Sequence, residues 1–174
     1  LINAGSELVR ITVNNEDSAK QVPYIIEDLN SYKPEMISGF PSNIYEIAYT
    51  AKINNIPFYF KPDLIMTTAE TLLPNQVKII EEVFNCKVYD RYGSSEGATY
   101  VFQCYKGKMH YQLLSGIIEI VDEKMQPANE GEILITSFAT GGTPLIRYRI
   151  GDSMNLSDER CDCGDNQPII SSIL

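Results

Sequence analysis

Apolar positions in the first half of the chain recur at two spacings in turn. Over residues 17–32, Ala19, Val22, Ile25, Ile26 and Leu29 fall on one helical face, and Glu16-Asp17 ahead of them suits the positive end of a helix dipole. This predicts an amphipathic helix. Met36-Ile37 is a short apolar run ending at Ser38-Gly39-Phe40-Pro41. After it Ile44, Ile47, Ala48 and Ala51 return to steps of three and four, with Pro41 near the first turn. The strand-then-helix unit repeats as Asp63-Leu64-Ile65-Met66, the loop Thr67-Thr68-Ala69-Glu70, and a helix opened by Pro74 that carries Val77, Ile80, Val83 and Phe84. A third strand is predicted at 87–90. Strands separated by single helices run parallel, because a crossover of that length returns the chain to the same edge of the sheet.

From about residue 98 the helical period stops. Short runs with turn residues between them, at 99–104, 109–113, 116–121, 132–138 and 144–150, read as antiparallel strands. Pro127-Ala128-Asn129-Glu130-Gly131 supplies turn chemistry between two of them. The predicted fold class is α/β: a parallel sheet with flanking helices over 1–97, then a small antiparallel, barrel-like β subdomain over 98–174. The boundary near Gly97 has no linker, so the halves are expected to pack on each other.

The chain has 174 residues, enough for about one domain, and 44% hydrophobic residues give it a core. Its 14 basic and 23 acidic side chains leave a net charge of -9, which repels a phosphate backbone and argues against a nucleic-acid partner. Nor does any apolar run approach the roughly eighteen residues of a membrane helix, and the N-terminus has no secretory pattern. A cytoplasmic location is expected. Leu1 in the initiator's place, and the apolar Pro168-Ile169-Ile170 close to the end, lead to the expectation that this is a piece of a longer protein. Four cysteines, Cys86, Cys104, Cys161 and Cys163, are too few for a disulfide framework, which leaves metal binding or plain core.

Ligands of open parallel sheets sit beyond the carboxyl ends of the strands, where helix N-termini point unpaired amides. Three such ends can be named: Ser38-Gly39-Phe40-Pro41, Thr67-Thr68-Ala69-Glu70-Thr71, and Asp90-Arg91-Tyr92-Gly93-Ser94-Ser95-Glu96-Gly97. The last has a glycine on either side of two hydroxyls and a carboxylate, a composition that suits close approach to a polar ligand or a metal and equally an ordinary polar loop.

Tyr92-Gly93-Ser94-Ser95-Glu96-Gly97 resembles the Tyr-Gly-x-x-Glu signature of adenylate-forming enzymes, in the group of phenylacetate-CoA ligases, deazaflavin-coenzyme adenylylating synthetases and capsular polysaccharide biosynthesis homologues. Other stretches agree in the same order. Gly39-Phe40-Pro41-Ser42 resembles the family's Gly-Tyr-Pro-Ser turn, Thr68-Ala69-Glu70-Thr71-Leu72 its adenine-side loop, and Gly131-Glu132-Ile133-Leu134-Ile135-Thr136 the strand before its ribose site. Pro144-Leu145-Ile146-Arg147-Tyr148-Arg149-Ile150-Gly151-Asp152 is similar to its Pro-Leu-Ile-Arg-Tyr-x-x-Gly-Asp run.

The resemblance implies an ATP/AMP site. Asp152 would accept from the ribose hydroxyls, and Asp90, Arg91, Tyr92, Gly93, Ser94 and Ser95 would flank the nucleotide with Ala69, Glu70 and Thr71 across from them. Glu96 would help hold Mg²⁺ against the phosphates. For Glu70 a capping role stays equally open, and Tyr100, Phe102 and Tyr105 either line an acyl pocket or belong to the core. The implied reaction joins a small carboxylic acid to ATP as an acyl-adenylate and then to coenzyme A. Alternatives are transfer to an amine or sugar, or a non-catalytic binding module; a homodimer is the possible assembly. The family's phosphate-binding loop is not matched in residues 1–15, where Gly5-Ser6 alone is no loop, and its Gly-Arg hinge and lysine-bearing lid are not present either. No catalytic lysine is therefore named, and the chain by itself is expected to be inactive. Gly141-Gly142-Thr143 reads as a turn and not as a replacement loop.

A structural zinc site is predicted at Cys104, His110, Cys161 and Cys163. His110 is the only histidine and lies on the strand following Cys104, Cys161 and Cys163 point the same way in extended chain, and Gly164 lets the backbone turn. Three thiolates and an imidazole complete the closed tetrahedral shell of structural zinc. Cys86, beside the third strand, reads as core.

Overall fold

The computed structural model describes residues 18–97, 99–138 and 141–174. The acidic pair Glu16-Asp17 and the whole of 1–15, where a phosphate-binding loop was sought, lie outside them. Three helices, α1 (Ser18–Tyr32), α2 (Pro41–Ile53) and α3 (Pro74–Phe84), alternate with β1 (Met36–Gly39), β2 (Leu64–Thr68) and β3 (Val88–Gly93). Proline at the first position of α2 and of α3 fixes φ where no amide partner is needed, which is why both helices start where the sequence says. Six further strands follow: β4 (Tyr100–Gln103), β5 (Met109–Tyr111), β6 (Gly116–Val121), β7 (Glu130–Ser137), β8 (Tyr148–Ser157) and β9 (Ile169–Ile173).

All nine belong to one sheet in the order β1-β2-β3-β4-β5-β9-β8-β7-β6. β1, β2 and β3 are parallel, and every later pairing is antiparallel. The α/β class with an antiparallel continuation is therefore as read. Among the described residues the sheet stays open, with β1 and β6 as its edges, so barrel-like describes the antiparallel part only loosely.

Two cores hold the layers together. Ile44 and Ala48 of α2 and Ile80 and Phe84 of α3 bury against Ile65 and Val88 on one face of the parallel strands, and α1 adds Val22 and Ile26 against Ala51. The second core joins Val101, Tyr111, Ile133, Ile135, Met154 and Ile170 from five antiparallel strands. Removing apolar area of this kind from water supplies about 25 cal/mol per Å².

Three boundaries differ from the reading of the sequence. β3 runs on through Arg91, Tyr92 and Gly93, because Arg91, Tyr92 and Gly93 find ladder partners in Phe102, Val101 and Tyr100. The segment predicted as a strand at 144–150 is irregular up to Arg147, whose φ of 49° breaks the extended backbone, and β8 begins only at Tyr148 and continues to Ser157. β9 was no more than an apolar run at 168–170, yet it lies in the middle of the sheet.

Candidate functional site

β2 and β3 deliver their carboxyl ends side by side, with Thr67 opposite Asp90 and Thr68 opposite Arg91. Thr67 is fully buried and its hydroxyl donates to Asp90 Oδ1 at 2.8 Å, while the same oxygen accepts the Arg91 amide at 2.9 Å. The Asp90 amide in turn donates to Gln103 Oε1 at 3.0 Å. Asp90 is thus fixed on both sides. After β2 the chain turns through Ala69, whose φ of 68° is the left-handed region a non-glycine residue enters only under constraint. That turn sends Glu70 toward β1, where its carboxylate accepts the Ser42 amide at 3.2 Å in the first turn of α2. The capping role left open for Glu70 thus has a contact, and the same side chain also lines the cleft described next.

Across from these loops stands β8. Tyr92 Oη donates to Asp152 Oδ2 at 2.5 Å, a contact between residues sixty positions apart that bridges the parallel and antiparallel parts. Burial first, then the Asp152 hydrogen bond and charge with Glu96 beside them, push the Tyr92 phenol well above its ordinary range. Between the walls lies a cleft of about 750 Å³. It gathers Ala69, Glu70 and Thr71 from the β2 end, Asp90 to Glu96 from the β3 end, and Asp152 from β8. Every residue assigned to the nucleotide and to Mg²⁺ on resemblance is in this one place. Sequence reasoning missed Met109, Ile150, Ile170, Ser171, Ser172 and Ile173, which close the cleft from β5, β8 and β9. The run of three isoleucines about two serines at 169–173 is the signal that could have found the last four.

The cleft contains polar groups with unmet demand. Ser94 Oγ and Arg91 Nε are buried and have no hydrogen-bond partner among the described residues. Leaving such a group unmet costs about 1–3 kcal/mol, so a polar ligand entering here gains what the fold forgoes. Of the aromatic residues left open between acyl pocket and core, Tyr100 and Phe102 stack at 6.0 Å and Tyr105 is exposed under Lys106.

A second cluster lies at the far end of β4 and β5. The ligand atoms of Cys104, His110, Cys161 and Cys163 all lie within 4.8 Å of one another. Cys104 Sγ is 3.7 Å from Cys161 Sγ, and Cys163 Sγ is 3.5 Å from His110 Nε2. A tetrahedron with 2.3 Å metal–sulfur bonds has edges of about 3.8 Å, so the four atoms fit a zinc ion's shell. Local turns make the fit. The Gly107 amide donates to Cys104 O and the Cys104 amide to Lys108 O, both at 2.8 Å, and Gly107 and Gly164 take positive φ, 81° and 87°, where the chain reverses. His110 is 1% exposed and its Nδ1–H is set 3.2 Å from Gln167 O, leaving the Nε2 lone pair aimed into the cluster. Burial opposes ionisation of Cys104, but the Lys108 and Lys106 amides, with Cys161 and His110, outweigh it and bring the thiol down to about 7. Cys86 stays apart, packed at the edge of the helix-side core.

Comparison with known proteins gives consistent results. No protein-family model matches the chain. CapK of Staphylococcus aureus is 37% identical over 140 residues, covering 80% of this chain and 30% of CapK. An indoleacetate–lysine synthetase of Pseudomonas savastanoi is 34% identical over 135 residues, covering 75% of this chain and 32% of the synthetase. Among solved structures, a 2-hydroxyisobutyryl-CoA ligase in complex with 2-HIB-AMP and CoA superposes with a TM-score of 0.71 at 21% identity, over 86% of this chain and 37% of that one. The anthranilate CoA ligase AuaEII in complex with anthranoyl-AMP gives 0.63 at 11% identity, over 87% and 32%. The chain spans about a third of the length of the curated relatives it matches. Fold, sequence and the order of the loops around the cleft agree, and the chain belongs to the adenylate-forming superfamily, in the group with CapK and the indoleacetate–lysine synthetase.

Proposed function

We propose that the protein serves the ATP-dependent activation of a small carboxylic acid. The acid's carboxylate attacks the α-phosphorus of ATP, an acyl-adenylate forms as pyrophosphate leaves, and a nucleophile then displaces AMP. The observation that supports this reading is the meeting of three separate chain segments, 69–71, 90–96 and Asp152, in one polar cleft. Asp152 keeps one carboxylate oxygen on the Tyr92 hydroxyl and has the other to accept from a ribose hydroxyl. Tyr92 and the 69–71 turn flank the base, and the unpartnered Ser94 Oγ and Arg91 Nε offer donors to the anionic part of the nucleotide. Glu96 lines the same cleft and is a hard oxygen ligand of the kind Mg²⁺ takes from protein. When bound, Mg²⁺ offsets the phosphate charge that builds as pyrophosphate departs.

For the acceptor we place the coenzyme A thiol first, giving an acyl-CoA thioester; an amine or a sugar is the second reading. The amine is favoured by the 34% identity with a lysine-ligating synthetase. The cytoplasm, where ATP and coenzyme A are found, is the proposed site of action. Residues 1–97 and 98–174 are proposed as the two subdomains that meet at the cleft. We also assign a structural zinc ion to Cys104, His110, Cys161 and Cys163, on the tetrahedral spacing of their ligand atoms.

The test is acid-dependent exchange of pyrophosphate into ATP by the full-length protein, followed by offering coenzyme A and lysine in parallel as acceptors. Exchange that falls in Asp152→Ala and Glu96→Ala is expected. Unchanged exchange in both variants overturns the reading, and a zinc-containing protein with no exchange for any acid tried points to the non-catalytic module.

A further inference from the structure

β9 is the strand on which the sheet turns. Its first residues pair with β5, Met109 with Ile170 and His110 with Ile169, and its far side pairs with β8. Among the described residues it alone joins by backbone ladder the β1–β5 group to the β6–β8 group that carries Asp152. The two ends of β9 are held by different things. At its start the Cys161-Asp162-Cys163 turn closes on Cys104 and His110, and Gln167 O and Pro168 O accept from His110 and from the Tyr111 amide. At its end Leu174 and Ser153, the neighbour of Asp152, exchange two backbone hydrogen bonds of 2.9 Å. About 16 Å of strand, five steps of roughly 3.3 Å, separates the two ends.

Segment 158–168, which delivers β9, has no strand or helix of its own. Its internal bonds are few: the Asp165 amide to Cys163 Sγ at 3.4 Å, the Gln167 amide to Asp165 Oδ1 at 2.9 Å, and the Glu159 amide to Ser157 Oγ at 3.2 Å. Its outer ties are the Lys108–Glu159 ion pair at 2.6 Å and the Gln167 side chain on the Leu113 amide and Gln112, and beyond weak thiol contacts none of these draws Cys161 and Cys163 onto Cys104 and His110, which a shared ion would do. β5 carries the same linkage in miniature. His110 faces the cluster and Met109, one residue away on the opposite face, lines the cleft.

We propose that closure of the Cys104-His110-Cys161-Cys163 cluster by zinc sets nucleotide affinity in the cleft, by fixing β9 and through it the position of Asp152. The proposal rests on the nucleotide-binding reading above. The metal is thereby a regulator of the site and not only a staple of the fold: a chain that loses zinc loses the far wall of its cleft while the β2 and β3 ends stay in place.

The test loads the chain with zinc, strips it with a chelator and reloads it, taking three readings in each state: AMP affinity by calorimetric titration, amide exchange along 169–173, and amide exchange at Ser153. Stripping should weaken AMP binding at least tenfold and speed both exchange readings, and reloading should restore all three. Asp152→Ala is the contrast, weakening AMP binding while exchange along 169–173 stays slow and zinc-dependent. AMP affinity within twofold between stripped and loaded chain overturns the proposal. A loaded chain that binds no AMP, with exchange at Ser153 still responding to zinc, overturns the nucleotide reading and leaves the linkage standing. Where the stripped chain unfolds, Cys161→Ser keeps three ligands; AMP affinity indifferent to zinc in that variant overturns the proposal as well.

Discussion

The cleft and the Cys/His cluster are both built from polar residues on the same sheet, and they are finished to opposite degrees. In the cluster every ligand atom has a neighbour at metal-shell distance, and the histidine's second nitrogen is matched to a carbonyl. In the cleft, Ser94 Oγ and Arg91 Nε are buried without partners among the described residues, and Ala69 is held in a left-handed turn. A set of groups matched to one shared ion stabilises once that ion is bound; an open set costs stability and can bind a larger ligand. Five substitutions, one of them a control, can break or sharpen this contrast.

The largest effect is expected in the cluster. Cys163→Ser should remove a ligand that no neighbour replaces, lowering stability by roughly 3 kcal/mol or more and the melting temperature by about 6–12 °C, with zinc content falling in elemental analysis. Chelation of the parent chain should reproduce the shift, whereas Cys86→Ser should leave zinc content unchanged. A melting temperature indifferent to both treatments would reduce the cluster to four adjacent side chains.

In the cleft the same class of change should act on binding instead. Asp152→Ala is expected to weaken ATP by about 1.5–3 kcal/mol, the range of a lost charged hydrogen bond, with a much smaller change in melting temperature. Equal losses of affinity and stability would show that the cleft is as closed as the cluster.

Tyr92→Phe keeps the ring and removes one hydrogen bond, so about 0.5–1.5 kcal/mol of ATP affinity should go. It also has a pH signature. The folded-state phenol is raised above 10.0 chiefly by burial, so its contribution to stability is fully present below about pH 10 and is lost as pH rises beyond that. The wild-type melting temperature should therefore fall more steeply than that of Tyr92→Phe above pH 10, and parallel alkaline limbs would refute the burial of this phenol against Asp152. The smallest effect is Glu70→Ala, which removes a carboxylate from the N-terminus of α2 and should cost about 0.5–1 kcal/mol, read by thermal unfolding.

What the sequence made legible follows the same division. Pro41 and Pro74 mark α2 and α3 because proline's constraint is local, and Ile44, Ala48, Ile80 and Phe84 repeat at the period of the face they bury. The cluster could be found from residue types because few side chains bind zinc and the chain has a single histidine. The cleft was found by resemblance of its loops, and only in part. β9 was missed because Ile169-Ile170-Ser171-Ser172-Ile173 does not alternate: both sides of this central strand are paired, and Ser171 and Ser172 border a cleft at the strand's end. β8 was displaced because Arg149, Asp152 and Asn155 hide a strand whose only fully buried side chain is Met154. The Tyr92 to Asp152 contact spans sixty residues and has no local signature at all.

β6, at the edge of the sheet, has a consequence for how the protein behaves in bulk. The outer side of this six-residue strand is largely covered, since Tyr111 Oη donates to Gly116 O and accepts the Ile118 amide at 2.9 Å while the Ala128 amide donates to Ile120 O at 2.9 Å, and Ile117 is about half exposed. An edge whose outward groups are taken in this way is a poor template for a second chain. Two further things hold such addition back: Glu119, whose carboxylate is tied to Arg147 at 3.1 Å in the middle of the strand, and mutual repulsion between molecules of net charge -9. Salt screens the second over about 8 Å at physiological strength and over shorter distances as concentration rises. Resistance to strand addition at β6 thus rests first on hydrogen bonds between neutral groups that salt leaves in place, with charge repulsion as an addition that high ionic strength removes.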